Sequence, residues 1–223
     1  MKDKIVTIVF CVALIIFMLT FSIGLPIYCR FFYYLQIEPL GLVDSTGLTF
    51  EQIKTAYDDV LNFLTLPGFE FKTGELAFSQ SGKSHFEDCK WLFNLNLYAL
   101  IASTITLIVI LVLKRCKKIA LVKFFNRNCY FYSAIIPLAI IVVLAMVIAI
   151  DFNTAFEVFH AILFPGKNNW YFDPFTDEII LVMPQQFFMN CAILIGSSFA
   201  TFCISFIVAD IISCKKQTKI YNK

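Results

Sequence analysis

The chain has 223 residues, of which 59% are hydrophobic and 15% charged, with 26 Phe and a formal net charge of +2. A soluble domain carries nearer ~25% charged residues, so a water-soluble globular enzyme is excluded. With 8 Gly, 7 Pro and no internal repeat, collagen-like and low-complexity architectures are excluded as well.

In chain order, four stretches supply the roughly 20 mostly apolar residues that let a helix cross a bilayer with its backbone groups paired. The first covers 5–29, between Lys4 and Arg30; the second covers 91–113, between Lys90 and Lys114. The third covers 128–150, between Arg127 and Asp151. The fourth is uncharged from Ile179 to Ala209, and Pro184 sets its helix to begin near Gln185, giving 185–213. The first reads as an uncleaved anchor, because its apolar run exceeds a signal-peptide core and no Ala-x-Ala-like site follows.

Of the 18 basic residues, 12 fall at Lys2 and Lys4, in the 114–127 connection and in the 214–223 tail, whereas every acidic residue except Asp3 and Asp210 lies elsewhere. The positive-inside rule places both termini and the 114–127 loop in the cytoplasm, and segments 30–90 and 151–184 outside. The expected fold is mainly α: a polytopic membrane protein with four transmembrane helices and a small extracytoplasmic α+β cap.

Within 30–90, Thr49-Phe50-Glu51-Gln52 has capping-box spacing. Ile53, Ala56, Tyr57, Val60, Leu61 and Leu64 then recur on one helical face, predicting a helix over 49–64. Alternation around Thr73-Gly74 predicts a hairpin over 69–78. Within 151–184, Phe152, Phe156, His160 and Phe164 repeat every four residues, predicting a helix over 152–164 closed by Pro165-Gly166. The runs flanking Asp173-Pro174 predict a second hairpin over 170–182.

The two histidines, His85 and His160, fall one in each outward segment. Ser84-His85-Phe86-Glu87 reads as a capping box, which would place His85 in the first turn of a helix. The helix N-terminus there disfavours a charge on the imidazole and favours its proton-accepting form. Asp88, at i+3, shares that face and can fix the ring's tautomer. Three other chemistries remain open. The histidines with Asp88 and Asp173 or Asp177 could ligate zinc, although no close ligand spacing is present. Cys89, at i+4 from His85, could act as a Cys–His nucleophile through an acyl-enzyme. A non-enzymatic sensor or transporter is the third, and uncharged span centres argue against an ion path. The eight cysteines form no CxxC pair; only Cys29 and Cys89 could meet an oxidising exterior and form a disulfide. The basic loop is explained by topology and anionic lipid, so nucleic-acid binding is not expected.

Gly82-x-x-His85-Phe86-x-Asp88-x-Lys90 before a span, then Phe159-His160, Gly166-x-x-x-Trp170-x-Phe172 and Asp177-x-x-Ile180-x-x-x-Pro184-x-x-Phe187-Phe188, resemble the bacterial lipoprotein intramolecular transacylases. The resemblance covers nearly the whole chain. The sequence departs from that pattern at Gln185, where an acidic residue is expected, and at Cys89, where the family commonly has a plain apolar residue. The resemblance implies a membrane acyltransferase of Gram-positive bacteria, acting at the outer leaflet without cofactor or metal. Its partners would be a diacylated lipoprotein substrate and membrane lipid. It would move the sn-2 acyl chain of a diacylglyceryl-cysteine onto that residue's own α-amino group, giving a lyso-form lipoprotein. On this reading His85 is the general base and His160 orients the headgroup or stabilises the oxyanion, with the two roles open to exchange. Asp88 and Asp177 are candidate orienters of the imidazoles. Trp170, Arg30 and Lys90 are candidate donors to the oxyanion or ester carbonyls.

Overall fold

The computed structural model describes residues 1–221, with side chains through Lys216. Lys223 and the side chain of Lys219, counted above among the basic residues of the tail, lie outside the described residues. The described chain folds as α1 (Lys2–Tyr28), α2 (Phe31–Tyr34), α3 (Leu42–Thr46), α4 (Phe50–Thr65), α5 (Gln80–Arg115), α6 (Cys129–Ile150), α7 (Phe152–Leu163), α8 (Ile179–Val182) and α9 (Gln185–Tyr221). Four of these, α1, α5, α6 and α9, are long and apolar enough to cross a membrane. At 36 residues α5 is about 54 Å long, well beyond the roughly 30 Å of hydrocarbon a span must cross.

Neither hairpin forms, and the expected α+β cap is helical: among the described residues there is no strand, only an isolated bridge between Phe124 and Arg127. The alternation over 69–78 serves side-chain burial instead of cross-strand pairing. Phe71 and Thr73 are buried, the Thr73 hydroxyl donates to the Leu76 carbonyl at 2.7 Å, and Gly74 turns the chain at φ 63°. A side chain would strain that turn, since the positive φ disfavours it and a Cβ at position 74 would lie 3.3 Å from the Ala56 backbone. The returning stretch pairs with one residue, not with a strand: the Ala77 N–H donates to the Glu178 carboxylate at 2.8 Å and the Glu178 N–H to the Ala77 carbonyl at 3.1 Å. In the second segment, the short apolar run Ile179–Val182 carries no periodicity that separates strand from helix. It forms the single turn α8, with Ile179 and Val182 buried.

The start of α5 is a second correction. Ser79, not Ser84, caps it, its hydroxyl accepting the Gly82 N–H at 2.9 Å. His85 thus sits in the second turn, beyond the reach of the helix-terminus field that falls off within the first.

The chain divides into two compact units. One comprises Met1–Ile23, Leu97–Met146 and the chain from Ile195 on. Its core gathers Phe10, Leu14, Met18, Ile110, Ala134, Phe199 and Cys203. Here the two exceptional acidic residues hold the basic connection in place. Asp3 accepts from the Ala120 N–H at 3.2 Å, and Thr7 accepts from the Val122 N–H at 2.9 Å. The fully buried Asp210 takes Arg127 at 3.0 Å, the Asn128 N–H at 2.9 Å and the Asn128 side chain at 2.6 Å.

The other unit comprises Gly24–Asn96 and Val147–Leu194. Thr49 caps α4 through a reciprocal box with Gln52, and the apolar face of α4 enters the core. Tyr33 stacks on Tyr57 at 3.7 Å and donates its hydroxyl to the Val182 carbonyl at 2.6 Å, so the last carbonyl of α8 is satisfied inside apolar surroundings. Behind them the buried Asp177 carboxylate accepts the Ser79 N–H at 2.8 Å and the Ser79 hydroxyl at 2.9 Å. This contact needs a glycine one turn on, since a Cβ at Gly82 would lie 2.1 Å from an Asp177 oxygen. In an ordinary helix Gly→Ala stabilises by about 1 kcal/mol. Gly82→Ala is expected to do the opposite, destabilising by about 1–3 kcal/mol through the displaced carboxylate and weakened cap. A thermal melt of the purified protein beside the wild type checks that sign.

Candidate active site

Two helices bring the imidazoles together. Asp151 caps α7, accepting the Thr154 N–H at 3.1 Å and its hydroxyl at 2.6 Å, and the three turns that follow carry His160 inward. Ser79 and Asp177 set the start of α5 and with it the rotational phase that turns His85 toward α7. Both rings are more than nine-tenths buried, and their centroids are 5.8 Å apart.

The walls are aromatic. Phe164 and Phe172 meet His85 edge-on at 4.9 and 5.5 Å. Phe156 lies 4.2 Å from His160, and Trp170 stacks on His160 at 4.7 Å and on Tyr171 at 3.7 Å. Burial pushes His160 below the ordinary imidazole value of 6.5, and the bond to the Phe156 carbonyl, which favours the charged form, opposes this only in part.

The ring nitrogens are differentiated by their partners. His160 Nδ1 lies 2.7 Å from the Phe156 carbonyl oxygen. A carbonyl only accepts, so Nδ1 carries the hydrogen and the lone pair belongs to Nε2. His85 Nε2 lies 3.4 Å from the Cys89 sulfur. His85 Nδ1 is buried with no hydrogen-bond partner among the described residues. An unpaired polar atom in an apolar wall is costly, and a native protein keeps one where a ligand completes it.

The supporting residues are placed differently from expectation. Asp88 does not orient an imidazole: its carboxylate accepts from the Lys167 ammonium and, at 3.1 Å, from the Asn169 amide. It ties the Gly166–Trp170 turn to α5; burial pushes its carboxyl up, and the bonds from Lys167 and Asn169 together outweigh this and hold it below the usual range. Asp177 also lies off the imidazoles, its oxygens being used by Ser79 and Thr176. The Trp170 N–H donates to the Lys167 carbonyl at 3.1 Å, so this residue acts on His160 through its ring face. Arg30 binds Asp58 at 3.0 Å and Asn62 at 2.8 Å, and the Lys90 ammonium sits 4.2 Å over the Phe63 ring. Neither cation joins the histidines. Gln185 donates to Asn153 at 2.6 Å. No disulfide joins the described cysteines, Cys29 and Cys89 included. Among the described residues no group of three or more His, Cys, Asp and Glu could hold a metal ion.

Sequence reasoning missed Lys167 and Asn169, which sit in a short polar turn with no diagnostic spacing; it named Phe164 on the helical stripe of His160 and Phe172 in a motif, without giving either a place against His85. The signal that could have found the first two was their place between the motif residues Gly166 and Trp170.

The family model described as lipoprotein intramolecular transacylase Lit matches residues 8–188. No curated protein matches. Among solved structures, the membrane integral lipoprotein intramolecular transacylase Lit from Bacillus cereus superposes with a TM-score of 0.84 at 24% identity, covering 98% of each chain. Structures of that protein with the H85R and H85A mutations superpose with TM-scores of 0.78, each at 24% identity, covering 99% and 98% of this chain and 95% and 96% of theirs. This likeness gives the fold of a multi-pass membrane protein. With more than half of its length matched by the family model, the chain belongs to the lipoprotein intramolecular transacylase Lit family, a family of enzymes.

Proposed function

We propose that the protein transfers the sn-2 acyl chain of a diacylglyceryl-cysteine lipoprotein to the α-amino group of the same cysteine, yielding the lyso form. The site faces the outer leaflet and both termini are cytoplasmic, in keeping with the segregation of Lys and Arg. The observation that carries this reading is a pair of buried imidazoles 5.8 Å apart, one with a fixed lone pair and the other with an unpaired ring nitrogen.

The geometry favours exchanging the two histidine roles. His160 Nε2, its tautomer fixed by Phe156, is the base that takes a proton from the α-ammonium, whose ordinary pKa of about 7.7–8.0 is within reach of an imidazole. The freed amine attacks the ester carbonyl carbon, a C–N bond forms and the carbonyl oxygen becomes an oxyanion. A thiol donates more readily to an imidazole nitrogen than it accepts, so the Cys89 contact at His85 Nε2 puts the hydrogen on Nδ1. That N–H is the donor to the oxyanion. His160 passes that first proton to solvent and takes a second from the nitrogen as the C–N bond forms; when the intermediate collapses, the C–O bond to the glyceryl oxygen breaks and the His160 imidazolium gives this second proton to it. The amide keeps one N–H; counted from the free amine the change is an isomerisation, and counted from the ammonium one proton is released. Donor and acceptor belong to one molecule, so positioning supplies much of the barrier reduction. The aromatic walls keep water from the ester.

A second reading rests on the 3.4 Å separation between the Cys89 sulfur and His85 Nε2, which would suit a Cys–His nucleophile and an acyl-enzyme. Cys89→Ala separates the two. Direct transfer predicts activity within about tenfold of wild type, and an acyl-enzyme route predicts none; single-turnover assays on a diacylated lipopeptide read the difference.

The central test uses cells that make only diacylated lipoproteins. Expression of the wild-type protein is expected to abolish labelling of lipopeptides by an amine-selective reagent, at unchanged intact mass and with a new N-acyl fragment ion. His160→Ala and His85→Ala are each expected to lose about 10²–10⁴-fold in rate while remaining folded in the membrane. Labelling that persists with wild-type protein would reject the assignment.

The pH dependence follows from His160. With the folded value depressed below 6.5, the ring stays neutral on moderate acidification, so the acid limb of the rate profile is expected below pH 6.5. The same depression means the unfolded chain binds a proton first as pH falls. Its contribution to stability is fully present above pH 6.5 and is lost toward the lower folded value. Rate and melting temperature measured from pH 4.5 to 8 check both signs, and an acid limb above 6.5 would contradict the role of His160.

A further inference from the structure

We infer that the side-chain carbonyl of Asn169 is the acceptor that holds the substrate's α-amino group, an inference that rests on the transacylase reading above. The orientation of this amide is dictated by chemistry. Its Nδ2 faces an Asp88 carboxylate oxygen at 3.1 Å, and a carboxylate accepts but does not donate, so the other end of the amide is the oxygen. That Oδ1 is buried and has no partner among the described residues. Only two other buried side-chain polar atoms among the described residues share that state, His85 Nδ1 and the Ser22 hydroxyl.

Asn169 also stands between the supports of both imidazoles. Through Asp88 it is tied to α5 one turn beyond His85. The next residue, Trp170, lies with its ring on His160. A buried carbonyl oxygen without a partner calls for an N–H donor, and the proposed substrate brings one. After His160 takes one proton, the α-amine keeps two N–H groups, and a hydrogen bond from one of them to Oδ1 aims the nitrogen lone pair.

The neutrality of this acceptor matters. A bare carboxylate beside the amine would hold it as ammonium and oppose deprotonation. Asp88, the carboxylate bonded to this amide, is engaged by Lys167 and by Asn169 itself. The amine therefore meets an amide oxygen, which orients it with far less stabilisation of its charge.

The test measures binding without turnover. A dialkyl-ether lipopeptide has no ester to transfer, and it is made in two forms, one with the α-amine and one with hydrogen in its place. Affinities of both for the full-length protein in nanodiscs are measured near pH 8. Wild type is expected to prefer the amine form by about tenfold, and Asn169→Ala to bring the two forms within about twofold. Asn169→Ser, a smaller perturbation of the turn, is expected to give an intermediate preference and guards against a folding defect in the alanine variant. A preference that survives in both variants would overturn the inference, as would an equal weakening of both forms or no preference in the wild type. Failure of the transacylase reading shows separately, as persistent amine labelling of the ester substrate.

Discussion

The buried carboxylate of Asp177 is the contact on which the arrangement of the site depends. It accepts both the N–H and the hydroxyl of Ser79, which in turn caps α5 through Gly82, so the start of the helix and its rotational phase are fixed by a residue from the other half of the chain. Three positions later comes His85, and the facing helix α7 begins at its own aspartate cap. Helix geometry does the rest. Two carboxylates, neither of them touching an imidazole, determine where the imidazoles meet.

An aromatic enclosure sets the state of those rings. Burial opposes charge on His160 and favours its neutral ring, and a backbone carbonyl decides which nitrogen offers the lone pair. His85 is completed on one side by a thiol and on the other by nothing among the described residues. In water such an atom would be solvated at no cost; among Phe164, Phe172 and Phe86 it is a standing demand for a ligand. The same walls that create that demand would shield a labile ester.

Much of the architecture was legible because its signals are strong and local. Apolar runs mark the spanning helices, the Thr49–Gln52 box and the face from Ile53 to Leu64 mark α4, and the two histidines, one in each of the segments that follow the first and third spans, lie with their rings 5.8 Å apart. The hairpins failed because alternation records which side chains are buried, not what the backbone binds. Phe71 and Thr73 turn inward while the backbone nearby is satisfied by Asp59 and Glu178, residues distant in sequence. Asp88 failed as an imidazole orienter for a related reason. Its i+3 spacing from His85 was real, but Lys167 and Asn169 arrive from the second segment and take both oxygens. Long-range competition for a polar group leaves no trace in local spacing.

The stacking of Trp170 on His160 has an optical consequence. The chain has only two tryptophans, and the other, Trp91, is solvent- or lipid-exposed on α5. Protonated imidazoles quench indole emission by accepting an excited-state electron, whereas neutral ones do so weakly. The indole that holds the ring flat is thus also a fluorophore in van der Waals contact with it, and the charge on His160 is written into the light the protein emits.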